Sequence, residues 1–325
     1  MDILVVITCY KVPDLTIDCL RSISQERVQI PDLKVGICDN GNEDDTLLKL
    51  NQAILENGWQ DWVHIKSVMP NCGFAGGNNV ILREALNSSN IPDFFLLLNA
   101  DTIVRPGALS SLLTAARTHK NAGIICPRLE WPSGEAQISC FRYISPISEM
   151  LAAASTGLLD RLFHKWEVPL PVVDLPREIE WGSFACALIR KEVFLDIGVL
   201  DEGYYLYFDD VDYCRSANNA GWKVLYWPEA HIVHLRGKSN PVKEKTAQKK
   251  RRPGYWYVSR SWYISKFYGK IGLFTANLLW LTGRMVSLLR ELARNKKPHV
   301  CEMEEIDIWK GFCQTVIPKV GIENR

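Results

Sequence analysis

Several features that would settle a class at once are missing from this chain of 325 residues. It has almost no net charge, with 38 Lys plus Arg against 37 Asp plus Glu, formally +1. It has no low-complexity tract and no repeat of fixed period, which excludes a disordered linker chain and a solenoid. Its ten cysteines form no CxxC pair, so neither a zinc ribbon nor a dithiol redox centre is supported. The first residues, MDILVVITCY, carry an acid where a secretion signal needs a positive segment, so no such signal is expected. Helix-turn-helix and zinc-finger spacings are also missing, and nucleic acid is not an expected partner.

What is present is a globular composition, 47% hydrophobic and 23% charged, long enough for one large α/β domain or two smaller ones. Cys9, Cys38 and Cys186 lie in apolar runs, where a reduced cysteine acts as a small hydrophobe, so a reducing cytoplasm is expected. The near-zero charge conceals an asymmetry. Residues 1–235 hold 19 basic and 30 acidic side chains, whereas 236–325 hold 19 and 7. Within the second part, 236–297 hold 16 basic and 2 acidic side chains. An acidic body and a basic tail suggest different partners for the two segments.

The first 125 residues alternate short apolar runs with amphipathic stretches. The runs at 2–10, 33–40 and 94–101 read as strands, and 15–25 between the first two has helical spacing. Continuous apolar strands separated by helices imply a parallel sheet covered on both faces. Ligands of such sheets bind beyond the carboxyl ends of the strands. Those ends are Thr8-Cys9-Tyr10, Asp39-Asn40-Gly41 and Asn99-Ala100-Asp101, and they are expected to line one crevice. The Pro-bearing stretch 140–176 reads as a loop or small helices over the site, and 236–254 as a flexible basic loop. From 255 the chain mixes aromatic, aliphatic and basic residues. Its most apolar part, 271–289, nears spanning length but is interrupted by Asn277 and Arg284. A helix in a membrane interface and a helix packed on the domain both stay open.

Four groups of residues carry chemistry. Asn99-Ala100-Asp101 puts a carboxylate at the end of a buried strand, where it can hold a divalent ion or simply cap a turn. Asn71-Cys72-Gly73-Phe74-Ala75-Gly76-Gly77-Asn78-Asn79 reads as a glycine-rich connection into a helix, whose free N–H groups would suit phosphate. It matches neither GxGxxG nor a Walker A sequence. In Phe208-Asp209-Asp210-Val211-Asp212, three carboxylates crowd together; one could act as a base while another starts a helix. His231 and His234 lie three apart in an extended run and point to opposite faces, so at most one faces the site.

The order of these groups, with Trp181-Gly182 in WGSFACALIR between them, resembles family-2 glycosyltransferases of the GT-A fold, rhamnosyltransferase-like branch, over roughly residues 3–240. The resemblance implies a Rossmann-like, mostly parallel central sheet flanked by helices. A nucleotide-binding half (1–125) and an acceptor and catalytic half (126–240) would precede a basic, helical C-terminal region (241–325). It implies that Thr8 and Tyr10 border the base and that Asp39 binds base or ribose. Asn71, Phe74, Ala75 and Gly76 would line the nucleoside pocket. Asn99 and Asp101 match the DxD motif, with Asn in place of the first Asp, so that Asp101 and His234 are the metal ligands. Trp181, Gly182 and Asp209 would meet the acceptor, Asp210 matches the catalytic base, and Arg236, Lys238 and Ser239 would follow the diphosphate.

The expected enzyme is thus an inverting glycosyltransferase using Mn²⁺ or Mg²⁺. The donor would be dTDP-rhamnose, with a UDP-sugar as alternative, and the acceptor a cell-envelope or lipid-linked glycan. The expected location is the cytoplasm or the inner face of its membrane, with contact to anionic lipid through 241–297. A homo-oligomer stays open. A sugar-phosphate nucleotidyltransferase is the competing enzyme class, although the basic glycine-rich loop it needs is missing from 8–20. A degenerate binding module would have lost a base or metal residue, and neither loss is evident.

Overall fold

The burial of the strands follows directly from their composition. In the computed structural model, which describes residues 2–41, 43–236, 246–294 and 299–316, the chain divides into two compact units. The first comprises residues 1–141, 169–205 and 209–239, and the second 142–168, 206–208 and 240–325.

The first unit runs β1 (Ile3–Cys9), α1 (Pro13–Glu26), β2 (Lys34–Asn40), α2 (Thr46–Glu56), β3 (Val63–Val68), α3 (Gly73–Leu86), β4 (Phe94–Asn99), β5 (Thr102–Val104), α4 (Ala108–Thr118), β6 (Ala122–Glu130) and β7 (Cys140–Phe141). Helices α5 (Pro146–Ala154) and α6 (Gly157–Leu162) belong to the second unit. The first then resumes with β8 (Arg177–Ile179), β9 (Trp181–Gly182), β10 (Cys186–Arg190), α7 (Lys191–Ile197), α8 (Asp209–Asn219) and β11 (Lys223–His234). The second unit ends with α9 (Gly254–Arg294), bent at Gly269, and α10 (Glu304–Val316).

The main sheet has the order β3-β2-β1-β4-β10-β6-β11-β5, with β8 also on β11. It is parallel across β3-β2-β1-β4 and mixed beyond, because β10 runs antiparallel to both β4 and β6. All of Phe94–Leu98 is buried, as expected for a strand covered on both faces. Helix α1 starts at Pro13, whose missing N–H costs nothing at a first-turn position, and buries Ile17, Leu20 and Ile23.

The strand register sets the positions of the functional side chains. Thr8 of β1 lies opposite Cys38 of β2 on one side and Asn99 of β4 on the other, and Cys9 lies opposite Asp39. Three polar strand ends therefore stand side by side, as the apolar runs predict. On the far half of the sheet, β11 pairs with β5 so that His234 stands opposite Thr102, next in sequence to Asp101.

The stretch 142–168 is helical in part, with Ser145 and Ser148 forming a reciprocal capping box at the start of α5. It packs inside the second unit, where Gly283 of α9 lets the backbone at Met150 come close; a Cβ there would sit 2.2 Å from the Met150 carbonyl oxygen.

Candidate active site

The site begins at the end of β4. The strand closes at Asn99, whose carbonyl accepts the Thr102 hydroxyl at 2.7 Å and whose N–H donates to Ala185 at 3.0 Å. That turn carries Asp101 inward, where it is 1% exposed, and its carbonyl accepts the Leu235 N–H at 3.0 Å. The same ladder delivers His234, 4% exposed, with Nε2 3.5 Å from Oδ1 of Asp101. Buried Gln137 fastens the histidine's main chain by donating to the carbonyls of His234 (2.8 Å) and Glu130 (3.0 Å). His231 lies the other way, with Nδ1 2.9 Å from Glu130, which also accepts from Arg105 at 2.8 Å. The two histidines thus part as their spacing predicts.

A divalent ion has to suit both the donors and the spacing of this pair. A carboxylate oxygen and an imidazole nitrogen bound side by side on one ion, about 2.1 Å from it, stand about 3 Å apart. The observed 3.5 Å needs only a small adjustment, so the pair fits. Among the described residues no cluster of three or more His, Cys, Asp or Glu could hold a metal. Two protein ligands suit an ion that takes its remaining oxygens from a substrate phosphate.

The glycine-rich segment corrects the sequence reading. Gly73, Gly76 and Gly77 do not precede the helix; they form its first two turns. Each is glycine because a side chain would collide. Gly73 holds φ +77°, and a Cβ would lie 2.2 Å from the Tyr205 carbonyl oxygen. At Gly77 it would lie 2.5 Å from Thr8 Cγ2, and at Gly76 2.8 Å from Cys72 Cβ. The first two amides are not open to phosphate either: Gly73 N–H donates to Asn71 Oδ1 (2.8 Å) and Phe74 N–H to the Tyr205 carbonyl (2.8 Å). Asn71 and Phe74 are half-buried and Ala75 fully buried.

Asn40 organises this corner, a role the sequence alone does not reveal. Its Nδ2 donates to the Gly73 carbonyl (2.9 Å) and Asn71 Oδ1 (3.3 Å), while its Oδ1 accepts the Cys72 N–H (3.0 Å). Its neighbour Asp39 is buried and accepts the Ser67 hydroxyl of β3 at 2.7 Å. Thr8 is half-buried and its Oγ1 has no hydrogen-bond partner; Tyr10 is exposed. This unpartnered hydroxyl and the Asn40 amide both lie beside Gly77, an arrangement that suits a polar ligand over the strand ends.

A second group forms around the start of α8. Asp209 and Asp212 are buried and Asp210 is half-buried in its first turn, where the macrodipole favours anions. The two residues before the helix, Tyr207 and Phe208, both hold positive φ, 69° and 68°, a strain that non-glycine residues seldom carry. Trp181 and Gly182 of β9 are buried, the tryptophan ring stacked on Phe141 at 4.3 Å. Cys126 and Cys214, whose thiols burial pushes well up, are each close enough to feel the Asp210 charge, and the Gly182 backbone bonds Cys214. Asp210 and Gly182 therefore share one neighbourhood. Arg236 turns aside: its guanidinium donates to the Ile138 carbonyl at 2.7 Å and lies 5.8 Å over the Trp131 ring, where burial lowers its pKa. Lys238 and Ser239 lie outside the described residues.

Solved structures of similar architecture place this fold in a class. The mannosyltransferase PcManGT from Pyrobaculum calidifontis, in complex with GDP-Man and Mn²⁺, superposes with a TM-score of 0.53 at 13% identity, over 91% of this chain and 76% of that one. GalNAc-T7 with UDP, GalNAc and Mn²⁺ gives 0.55 at 13%, over 97% and 58%. The fold is that of the GT-A glycosyltransferases. Residues 2–255 match the family described as "Glycosyltransferase like family 2", and the chain belongs to it. Two curated relatives are the N-acetylglucosaminyl-diphospho-decaprenol L-rhamnosyltransferase of Mycobacterium tuberculosis H37Rv and the rhamnosyltransferase WbbL of Escherichia coli K12. The first is 27% identical over 54% of this chain, the second 21% over 52%. The chain spans 61% and 62% of their respective lengths.

Proposed function

We propose that this protein is an inverting, metal-dependent glycosyltransferase that moves rhamnose from dTDP-rhamnose onto a hydroxyl of a lipid-linked glycan at the cytoplasmic face of the membrane. The observation that carries the reading is the buried Asp101–His234 pair at the strand ends of a family-2 fold. The names of both relatives support the sugar, and that of the mycobacterial one supports a diphospholipid acceptor. Ten cysteines, eight of them buried, suit a reducing compartment.

Asp101 and His234 would hold the ion, and an oxygen and a nitrogen donor together suit Mn²⁺ better than Mg²⁺. Bound there, a divalent cation neutralises charge developing on the leaving diphosphate. Asp39 and Thr8 offer an acceptor and a hydroxyl to the nucleoside, which Asn71, Phe74, Ala75 and Gly76 flank and Tyr10 can cover. Asn99 contributes a neutral amide where a second carboxylate would repel the diphosphate; the diphosphate role of Lys238 and Ser239 rests on their place in the sequence alone, and Arg236 would have to leave its Ile138 bond to join them. Asp210 takes the proton of the acceptor hydroxyl as that oxygen attacks, with Trp181, Gly182 and Asp209 holding the acceptor. A single base opposite the leaving group gives inversion.

A panel of nucleotide-sugars, read by thermal stabilisation and by product analysis in the presence of Mn²⁺, tests the proposal. The expected result is stabilisation by dTDP-rhamnose and release of dTDP. Stabilisation by a UDP-sugar alone would replace the donor. Release of pyrophosphate would replace the reaction class with nucleotidyl transfer.

A further inference from the structure

Helix α9 is amphipathic in the wrong sense for a water-facing helix. Its buried side carries polar groups. Arg260, 1% exposed, bonds Glu149 at 2.6 Å and Asn277 at 2.9 Å. Arg284 reaches Glu291 (2.8 Å), Glu305 (3.0 Å) and Ser287 (3.0 Å). Asn277 and Arg284, which interrupt the apolar run in the sequence, are thus turned inward. The outward side is apolar: Ile271, Phe274, Leu278, Met285, Leu289 and Leu292 are all exposed, Ile271 and Leu292 by 83% and 82%. Between 271 and 293 the charged residues are Arg284, Arg290 and Glu291, and none of them is exposed. At 3.6 residues per turn these positions, with exposed Leu288, cover an arc of about 100°.

A helix in water shows the opposite arrangement, and an uncharged apolar face of this length marks a contact surface. We propose that the outward face of α9 beds into an anionic lipid surface, with the helix lying in the plane of the membrane. Three observations select lipid. The arc is wider than the two-position seam of a paired helix, and Thr275 and Thr282, not charged residues, border it. Exposed Lys266 and Lys270 stand just before Ile271, where ammonium groups meet acidic headgroups. Helix α10 packs along one flank of α9, with Trp309 and Phe312 against Phe274, and exposes Lys310, so that flank stays in water while the rest of the apolar face is free to be immersed. The proposal rests on the glycosyltransferase reading for its purpose, which is access to a lipid-linked acceptor, and on α9 alone for its physics.

Flotation of the full chain with vesicles of phosphatidylcholine, with and without phosphatidylglycerol, tests it. The wild type is expected to float, more strongly with phosphatidylglycerol. Met285→Glu with Leu289→Glu should reduce partitioning by at least about tenfold, because charge enters the apolar layer. Its melting temperature and turnover of soluble nucleotide-sugar should stay unchanged, as both residues are exposed. Lys266→Glu with Lys270→Glu should abolish the preference for phosphatidylglycerol. Leu195→Glu, an equally exposed leucine on α7, should float like the wild type. A wild type that stays with the soluble fraction, or a double glutamate variant that floats undiminished, overturns the proposal. So does a wild-type dimer, in sedimentation equilibrium, that the glutamate variant converts to monomer, since the face would then belong to a second copy. Flotation needs no turnover, so its failure is separate from failure of the transfer reaction.

Discussion

Asp101 and His234 come from positions 133 residues apart in the chain, and a single ladder joins them. Main-chain bonds fix both: Leu235 donates to the Asp101 carbonyl, and Gln137 donates to that of His234. Side-chain replacement at Asp101 should therefore remove a donor atom without moving the backbone. Asp101→Ala is expected to abolish the Mn²⁺ dependence of nucleotide binding, so that calorimetric titrations with and without Mn²⁺ coincide. In the proposed mechanism Asp210 acts only on the acceptor's proton. Asp210→Asn should cost at least about 10²-fold in kcat, the usual contribution of a positioned base, while donor affinity stays within about threefold. The shape of the residue is kept and only its basicity is lost. Full turnover in Asp210→Asn would remove the base from this position.

The glycine-rich start of α3 shows why an element's sequence and its conformation can disagree. Glycine disfavours helix by about 1 kcal/mol per residue, so GFAGGNN reads as a loop. Tertiary contact overrides that preference, because Tyr205, Cys72 and Thr8 leave no room for a side chain at the three positions. Gly73→Ala combines a forbidden φ with a backbone collision. It should destabilise the protein by about 1–3 kcal/mol in urea titrations and weaken donor binding. Gly157→Ala, with nothing within 4 Å of a new Cβ, should fall within about 0.5 kcal/mol of wild type or slightly above it.

The same contrast separates what the sequence discloses from what it hides. Strands β1, β2 and β4 are legible because continuous burial leaves a continuous apolar run. The reversed direction of β10 is not, because CALI reads alike in either sense and only long-range pairing sets it. Strand β3 exposes alternate residues and gives a weak signal. Asp101 and His234 stand out as polar residues ending apolar runs. Asn40 and Gln137 work through main-chain hydrogen bonds, and no spacing announces those.

Charge at the scale of the whole molecule makes stability depend on pH with a definite sign. Several carboxylates sit below their ordinary range because a hydrogen-bonded partner favours their charged form. Lys191 does so for Asp93, Lys66 for Glu84, Asn79 and Arg83 for Glu202, and Arg251 for Asp307. A carboxylate whose folded pKa is depressed contributes stability that is complete above its unfolded pKa of about 4. That contribution disappears as pH falls through the lower folded value. The melting temperature should therefore be nearly level from pH 7 to pH 5 and fall steeply below about pH 4. The first three carboxylates are nearly half exposed, so solvent screens them and each contributes little. Asp307 is different: its side chain is buried and takes two bonds of 2.7 Å from one guanidinium. Asp307→Asn should lower the melting temperature by a few degrees at pH 7, and the gap to wild type should narrow as pH falls below about 4 towards the depressed pKa of Asp307. Calorimetric scans of the two proteins across pH 3 to 7 check this, and a gap that persists undiminished at pH 3 would show that packing, not charge, holds the segment around Arg251 to α10.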